Sequence, residues 1–329
     1  MSSPRHTPET LSRRIVRCSV DWSCVGNRLV DYLAGRFTYR SAEAWRDVIA
    51  AGEIRVNHAQ ADPEQILAMH DLIEYLPREL PEPEADTNYR IVHEDDCLLV
   101  VDKPGNLCIH PSGPFFRNTL WHLLCSKYGD IHFINRLDRE TSGLLIAAKD
   151  PKTAAKLQRP GAEIQKTYLV IVRGDFDREI DASGFLIADT ASAVRKKRRF
   201  VTELPENAVN AESCRTQLAP AGSPSPGWSL VRARLFTGRM HQIRATLYSL
   251  GYPVAGDKLY GPDETLFLKL RSDSLTEEDR RKLVFKRQAL HSSEIAFLHP
   301  QSGRHLEFSS PLPPDLADFP LPAGDGDAS

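Results

Sequence analysis

No run of apolar residues in this chain approaches the ~18 that a membrane-spanning helix requires, so a helical span is not expected. The opening MSSPRHTPETLSRR carries basic residues with no apolar core after them and does not read as a secretory signal. The six cysteines, Cys18, Cys24, Cys97, Cys108, Cys125 and Cys214, include no CxxC pair. That argues against a zinc site and for reduced thiols in a cytoplasm. There is no GxGxxG and no P-loop, so no dinucleotide or nucleoside triphosphate is signalled. An excess of positive charge is also lacking. The formal net charge is −2, so a polyanion partner would need a local basic surface. These absences lead us to expect no cofactor, no metal and no membrane, in a cytoplasmic protein that works as a monomer.

Two basic sets are present. One is Arg28, Arg36, Arg40, Arg46 and Arg55; the other is the run Arg195-Lys196-Lys197-Arg198-Arg199. A run of like charges is usually a solvated loop. At 329 residues the chain fits one large domain or two. The stretch 77–88, PRELPEPEADTN, is acidic and rich in proline with almost nothing to pack, which is a linker signature. We expect a small unit over 1–80, a linker over 81–88, a large unit over 89–314 and a disordered tail over 315–329.

The small unit reads as two helices and a hairpin. Leu29, Tyr32, Leu33 and Phe37 are at helical spacing. SAEAWRDVIAAG has Ser41 to cap its start, Gly52 to close its end, and Trp45, Val48 and Ile49 on one face. EIRVNHAQ and HDLIEYL read as strands. A helix pair, then IRVN, a turn, and an Asp before a last strand resembles the S-four-type RNA-binding domain of ribosomal proteins. That resemblance implies that Arg40, Arg46 and Arg55 face phosphates. The competing reading makes them solvated helix-face residues balanced by Asp31, Glu43, Asp47 and Glu53. The family pattern has glycines where His58 and His70 stand, which would distort both turns.

The large unit is dense in strands. YRIVHEDDCLLVVDKP reads as a hairpin turning at Glu94-Asp95-Asp96, and KTYLVIVRG and WSLVRARLF alternate as strands. GRMHQIRATLYSLG is the best helix, with Ile243, Leu247 and Leu250 as its stripe and Gly251 to close it. Strands without regular helical crossovers argue for an α+β fold with a mixed, largely antiparallel sheet.

The stretch INRLDRETSGLLIAAKD places Asp138 between Arg136 and Arg139, directly ahead of an apolar run. Neighbouring arginines oppose a metal, and no partner acid is spaced for glycoside hydrolysis. A single ionised nucleophile or base remains, held charged by guanidinium against the upward pull of burial. On the motif alone, a structural ion pair at a strand start is the stronger reading.

Resemblance changes that weighting. INRLDRETSGLLIAAKD resembles the HRLDxxTSGLL signature of the RluA-type pseudouridine synthases. IVHEDDCLLVVDKPGNLCIHP, KTYLVIVRG, TGRMHQIRATLYSLGYPVAGDKLYG and RQALHSSEIAFLHP resemble the family's other motifs, in order, across 89 to about 314. The resemblance implies a mixed, mainly antiparallel sheet with a central cleft, and an RNA isomerase that turns uridine into pseudouridine without a cofactor. The glycosidic bond breaks, the uracil rotates, and its C5 joins the ribose C1′. By the same resemblance Asp138 is the catalytic aspartate, attacking at the base or at C1′ or assisting loss of uracil. Tyr168 stacks on the flipped uracil and is a candidate base. Arg244 pairs with the carboxylate. Arg136 holds open the place the nucleotide vacates. Arg139, Thr141, Arg239, His241 and Gln242 join the residues expected to contact RNA, with Gly143 allowing a close turn. Asn135, Met240 and Thr246 depart from the usual His, Thr and His. Large-subunit ribosomal RNA is the expected substrate, with transfer RNA as the other. The competing function is a non-catalytic RNA-binding or ribosome-assembly factor on the same fold. Binding alone, however, does not call for an anion in a polyanion cleft.

Overall fold

A computed structural model describes residues 14–37, 40–78, 82–271 and 274–318. The chain divides into two units, Met1–Pro83 and Glu84–Ser329, at a point inside the Pro-rich acidic stretch. The first unit contains β1 (Val16–Ser19), α1 (Leu29–Arg36), α2 (Ala42–Ala50), β2 (Ile54–Val56), β3 (Ala59–Gln60) and β4 (Leu72–Tyr75). Its antiparallel sheet has the order β1-β4-β2-β3. The Ser41 side chain accepts from Ala44 N and so starts α2, while Gly52 at φ 73° ends it. The two helices bury Leu29, Leu33, Trp45 and Ile49 against Ile54 and Ile73 of the sheet. Each such side chain contributes roughly 1.5–3 kcal/mol by leaving water. His58 and His70 both adopt φ 69°. The turns therefore keep the left-handed geometry that glycine would give, at about 1–2 kcal/mol each. His58 Nδ1 lies 2.8 Å from Glu74.

The second unit begins with the hairpin β5 (Arg90–Glu94) and β6 (Leu98–Lys103), then α3 (Leu120–Tyr128), β7 (His132–Phe133), β8 (Ser142–Ala148) and α4 (Pro151–Gln158). It continues through β9 (Ile164–Arg173), β10 (Ile180–Ala188), β11 (Arg198–Val201), β12 (Glu212–Ser225), β13 (Trp228–Leu235) and α5 (Gln242–Ser249). It closes with α6 (Thr265–Arg271), α7 (Glu277–Leu283), β14 (Leu290–Leu298), β15 (His305–Ser309) and α8 (Pro314–Ala317). The main sheet runs β11-β10-β12-β13-β9-β14-β8-β6-β5. Its pairs are antiparallel except β8–β14, so the fold is α+β with a mixed, mainly antiparallel sheet.

Strand β8 is buried along its whole length, which is why its sequence is continuously apolar rather than alternating. It meets β14 through the parallel pairs Ser142–His291 and Gly143–Ser292. Gly143 has φ 107°, and a Cβ there would lie 2.2 Å from the Ser292 carbonyl oxygen. Only glycine lets these backbones abut.

Residues of β9 opposite β13 pair as Tyr168–Ala233 and Lys166–Leu235, and Leu235 pairs in turn with Thr216 of β12. The two-residue strand period puts Lys166, Tyr168 and Thr216 on one face. Helix α5 packs on that face: Ala245 joins Ala182, Leu186, Phe200 and Cys214, and Gln242 Nε2 donates to Thr216 Oγ1 at 2.9 Å.

Two expectations change. The basic run is not a plain solvated loop. Lys197 is buried and pairs with Glu264 at 2.8 Å, and Arg198 opens β11 and pairs with Glu212 at 2.8 Å. Nor does the tail begin at 315, since α8 docks by Leu316 and Asp315 holds Arg287 through two bonds of 2.6 and 3.0 Å. Residues 319–329 lie outside the described residues.

Candidate active site

Asp138 sits in the 134–141 segment joining β7 to β8, and that segment is tied down at several points. Lys103, at the end of β6, is wholly buried; its Nζ donates to the carbonyls of Pro104, Leu107 and Arg139 at 2.8, 3.0 and 3.1 Å. Burial pushes its ammonium down to about 7. Three carbonyl acceptors nevertheless match the three donors that only the charged form carries, and this match argues for the cation. Thr141 N donates to the Asp138 carbonyl at 3.1 Å. Glu140 takes two bonds from Lys258 Nζ, at 2.9 and 2.8 Å, and its carbonyl accepts from Arg287. The abutment at Gly143 fixes the start of β8.

From the opposite side α5 delivers Arg244. Its Nη1 donates to Asp138 Oδ2 at 2.7 Å. Its Nε and Nη2 grip Asp257 in a two-pronged pair of 2.6 and 2.9 Å. Asp257 Oδ1 also accepts from the amides of Leu259 and Tyr260, both at 2.9 Å. Gln288 Nε2 reaches Asp138 Oδ2 at 3.4 Å and Thr141 Oγ1 at 2.6 Å. The Asp257 side chain is fully buried, that of Arg244 keeps 9% of its area exposed, and that of Asp138 keeps 36%. The ionic chain therefore runs from the interior to an open end at Asp138. Its Oδ1 has no partner among the described residues.

Burial alone would raise the Asp138 carboxyl, but the Arg244 guanidinium outweighs it and holds the group below the usual carboxylate value. Asp257 is held low by the same balance. Burial pushes the Tyr168 phenol up to about 12, and the charge of Asp138 adds to it. At neutral pH Tyr168 therefore offers a ring and a neutral hydroxyl rather than a phenolate base. Burial and Arg244 together push His241 down to about 4.

The structure thus brings together Asp138, Tyr168, Arg244 and His241. Arg136 is exposed on the same segment, and its charge helps burial to depress His110. Thr141 positions Gln288. Arg139 lies over the Phe115 ring at 5.4 Å and within 3.5 Å of Glu140, away from Asp138. Arg239 donates to the Ser213 carbonyl at 3.1 Å and lies 3.8 Å from Glu212. Gln242, expected to touch RNA, is instead buried. Its amide accepts from Thr237 and Arg239 N and donates to the Arg215 carbonyl and Thr216, so it builds the turn before α5.

In the first unit Arg40 covers the Trp45 ring at 5.2 Å and the Tyr75 ring at 5.8 Å, and Arg46 pairs with Glu64. Arg55 is exposed with no ion pair among the described residues. Asp31 and Glu64 together balance Arg28, and Glu64, rather than Glu43 or Asp47, balances Arg46.

Asp257, Gln288 and Tyr260 were not singled out from sequence. Asp257 and Tyr260 lie inside the GDKLYG stretch, where an acid followed by an aromatic in an apolar setting was the available signal. Asp95, Cys97 and His299 lie close enough to share an ion. However, His299 Nδ1 accepts from Ser302 N at 3.0 Å, so its hydrogen is on Nε2, 3.1 Å from Asp95. That pattern is a strut between strands, not a ligand set.

Comparison with known proteins identifies the family. Residues 97–249 match the family described as RNA pseudouridylate synthase. The ribosomal large subunit pseudouridine synthase D of Zymomonas mobilis is 31% identical over 89% of this chain and 92% of its own. The mitochondrial tRNA pseudouridine(32) synthase of Saccharomyces cerevisiae is 30% identical over 75% of this chain, which spans 53% of that relative's length. Among solved structures, human RNA pseudouridylate synthase domain containing 1 superposes with a TM-score of 0.56 at 24% identity, covering 72% of this chain and 89% of the other.

Proposed function

The chain belongs to the RNA pseudouridylate synthase family and is an RNA pseudouridine synthase, and from that premise we propose that Asp138 is its catalytic carboxylate, Arg244 the cation that steadies it and Tyr168 the surface on which the target uracil stacks. The observation that carries this reading is the 2.7 Å Arg244–Asp138 pair, with Arg244 anchored behind by the buried Asp257. A carboxylate held ionised, aimed by a fixed guanidinium and left with one free oxygen is a preorganised nucleophile or base. A uracil in folded RNA reaches it only by leaving the stack. The free Oδ1 is the atom that acts, at the base, at C1′ or on departure of uracil. Arg136, exposed on the same segment, helps hold open the place the nucleotide vacates. The isomerisation is redox-neutral and is carried by these side chains.

The substrate is large-subunit ribosomal RNA. Support comes from the Zymomonas relative, whose length the chain nearly spans. The unit Met1–Pro83 docks RNA in the manner of an S-four-type domain, with exposed Arg55 available to phosphate. All six cysteines are free, which suits a reducing compartment, and among the described residues no helix is long and apolar enough to cross a membrane.

The test is Asp138→Asn, assayed by release of tritium from RNA labelled with [5-³H]uridine, since C5 loses its hydrogen when it joins C1′. Release falls to background while RNA affinity changes by less than about twofold. Retained activity removes Asp138 from the chemistry.

A further inference from the structure

A chain of hydrogen bonds runs from the basic run into the site. The backbone N–H of Arg198 donates to the Tyr260 hydroxyl oxygen at 2.9 Å. That hydroxyl lies 3.1 Å from His241 Nδ1. A phenol has one hydrogen, and no other acceptor for it exists among the described residues. The hydroxyl therefore donates to Nδ1, which leaves the imidazole hydrogen on Nε2. Each link is held. Arg198 is pinned by Glu212 at 2.8 Å and by the Asn210 carbonyl at 3.1 Å. Tyr260 is wholly buried, with the Arg244 guanidinium 5.0 Å from its ring centroid.

His241 itself occupies the left-handed region at φ 57°, at the N-cap of α5, three residues before Arg244. The charges of Asp138 and Arg244 both act on it, and burial keeps it neutral. Its Nε2–H has no protein partner among the described residues.

Resting on the synthase reading, we propose that His241 Nε2–H donates a hydrogen bond to a carbonyl oxygen of the uracil on which Asp138 acts. The donor is neutral, is three residues before the Arg244 that holds the reacting carboxylate, and feels the charge of both. A phosphate is better served by a cation, whereas a neutral carbonyl suits a neutral donor. If the oxygen is O4, the contact also rejects cytosine, whose amino group at that place would leave the N–H unpaired. The left-handed N-cap and the Tyr260 bond then have one purpose, to present a single tautomer.

The experiment uses the full chain and total RNA, labelled with [5-³H]uridine, from a strain lacking the protein. His241→Phe, which keeps an aromatic ring without a donor, lowers the release rate by about tenfold or more, with RNA affinity and its salt dependence unchanged. His241→Gln, whose amide N–H reaches about as far as Nε2, restores most of the rate. Tyr260→Phe frees Nδ1, so ¹⁵N NMR shows mixed tautomers where the wild type shows Nε2–H alone, and the rate falls in step. RNA made with 4-thiouridine or 2-thiouridine tells which oxygen is read. Full activity in His241→Phe, a wild-type Nδ1–H tautomer, or a salt slope reduced by ~0.7 in His241→Phe, the mark of a lost phosphate contact, overturns the proposal. Tritium release by Asp138→Asn instead removes Asp138 from the chemistry, and no release by the wild type overturns the synthase reading beneath the proposal.

Discussion

Replacing Asp257 with asparagine tests whether the buried anchor, rather than Asp138 alone, fixes Arg244. Asparagine keeps the shape and can still accept from the amides of Leu259 and Tyr260, which now bond Oδ1 at 2.9 Å. It removes the charge from a pair closed at 2.6 and 2.9 Å, in which both partners are nearly inaccessible to water. A hydrogen bond to a charged group is worth about 1.5–3 kcal/mol, and an uncompensated buried charge costs more. Because one acceptor survives, we expect a loss of about 3 kcal/mol. In a unit of this size that is a fall in Tm of roughly 6–12 °C.

The pH dependence is specific. Burial works against the Asp257 carboxylate, and Arg244 outweighs it, so the folded group titrates below its ordinary value. A depressed folded pKa gives stability that is complete above the unfolded value of ~3.9 and is lost as the pH falls through the folded one. The wild-type advantage over Asp257→Asn is thus flat through neutral pH and narrows only below about pH 4. Thermal melts at a series of pH values, with tritium release alongside, measure both. Activity falls by about tenfold or more, because Asp138 is then the only charge that pairs with Arg244 and its guanidinium is held less firmly from behind. A Tm within about 2 °C of wild type at neutral pH, or a gap that grows on acidification, would refute the reasoning.

Two further outcomes follow from the same contacts. Lys103→Met keeps the buried stem but leaves the Pro104, Leu107 and Arg139 carbonyls without their donor. We expect destabilisation of roughly 3 kcal/mol or more, with loss of activity larger than loss of RNA affinity, read by urea denaturation and filter binding. Removal of residues 1–83 weakens RNA binding and flattens its dependence on salt, read by titration at several ionic strengths. An unchanged slope means that the first unit makes no phosphate contacts.

The local elements were legible because short-range chemistry sets them. Ser41 and Gly52 bound α2, the Glu94–Asp96 turn joins β5 to β6, and the stripe Ile243, Leu247, Leu250 marks α5. The pairing of Asp138 with Arg244 was available only through the motif resemblance, since 106 residues separate them. The positive φ of His58 and His70 escaped pattern reading because the surrounding sheet imposes a backbone that the side chain disfavours.

By itself the sequence determined the fold class, the family and the pair of charges at the heart of the site. Those depend on side-chain period, turn chemistry and motif order, which are properties of the chain read along its length. Only the tertiary structure decided that Gln242 builds a turn instead of meeting RNA, that Asp257 stands behind Arg244, and that Lys103 ties down the segment bearing Asp138. It also brought the Tyr260 hydroxyl to 3.1 Å from His241 Nδ1. A polar side chain is assigned its work by which donors and acceptors surround it after burial, and those neighbours come from strands and helices far apart in sequence.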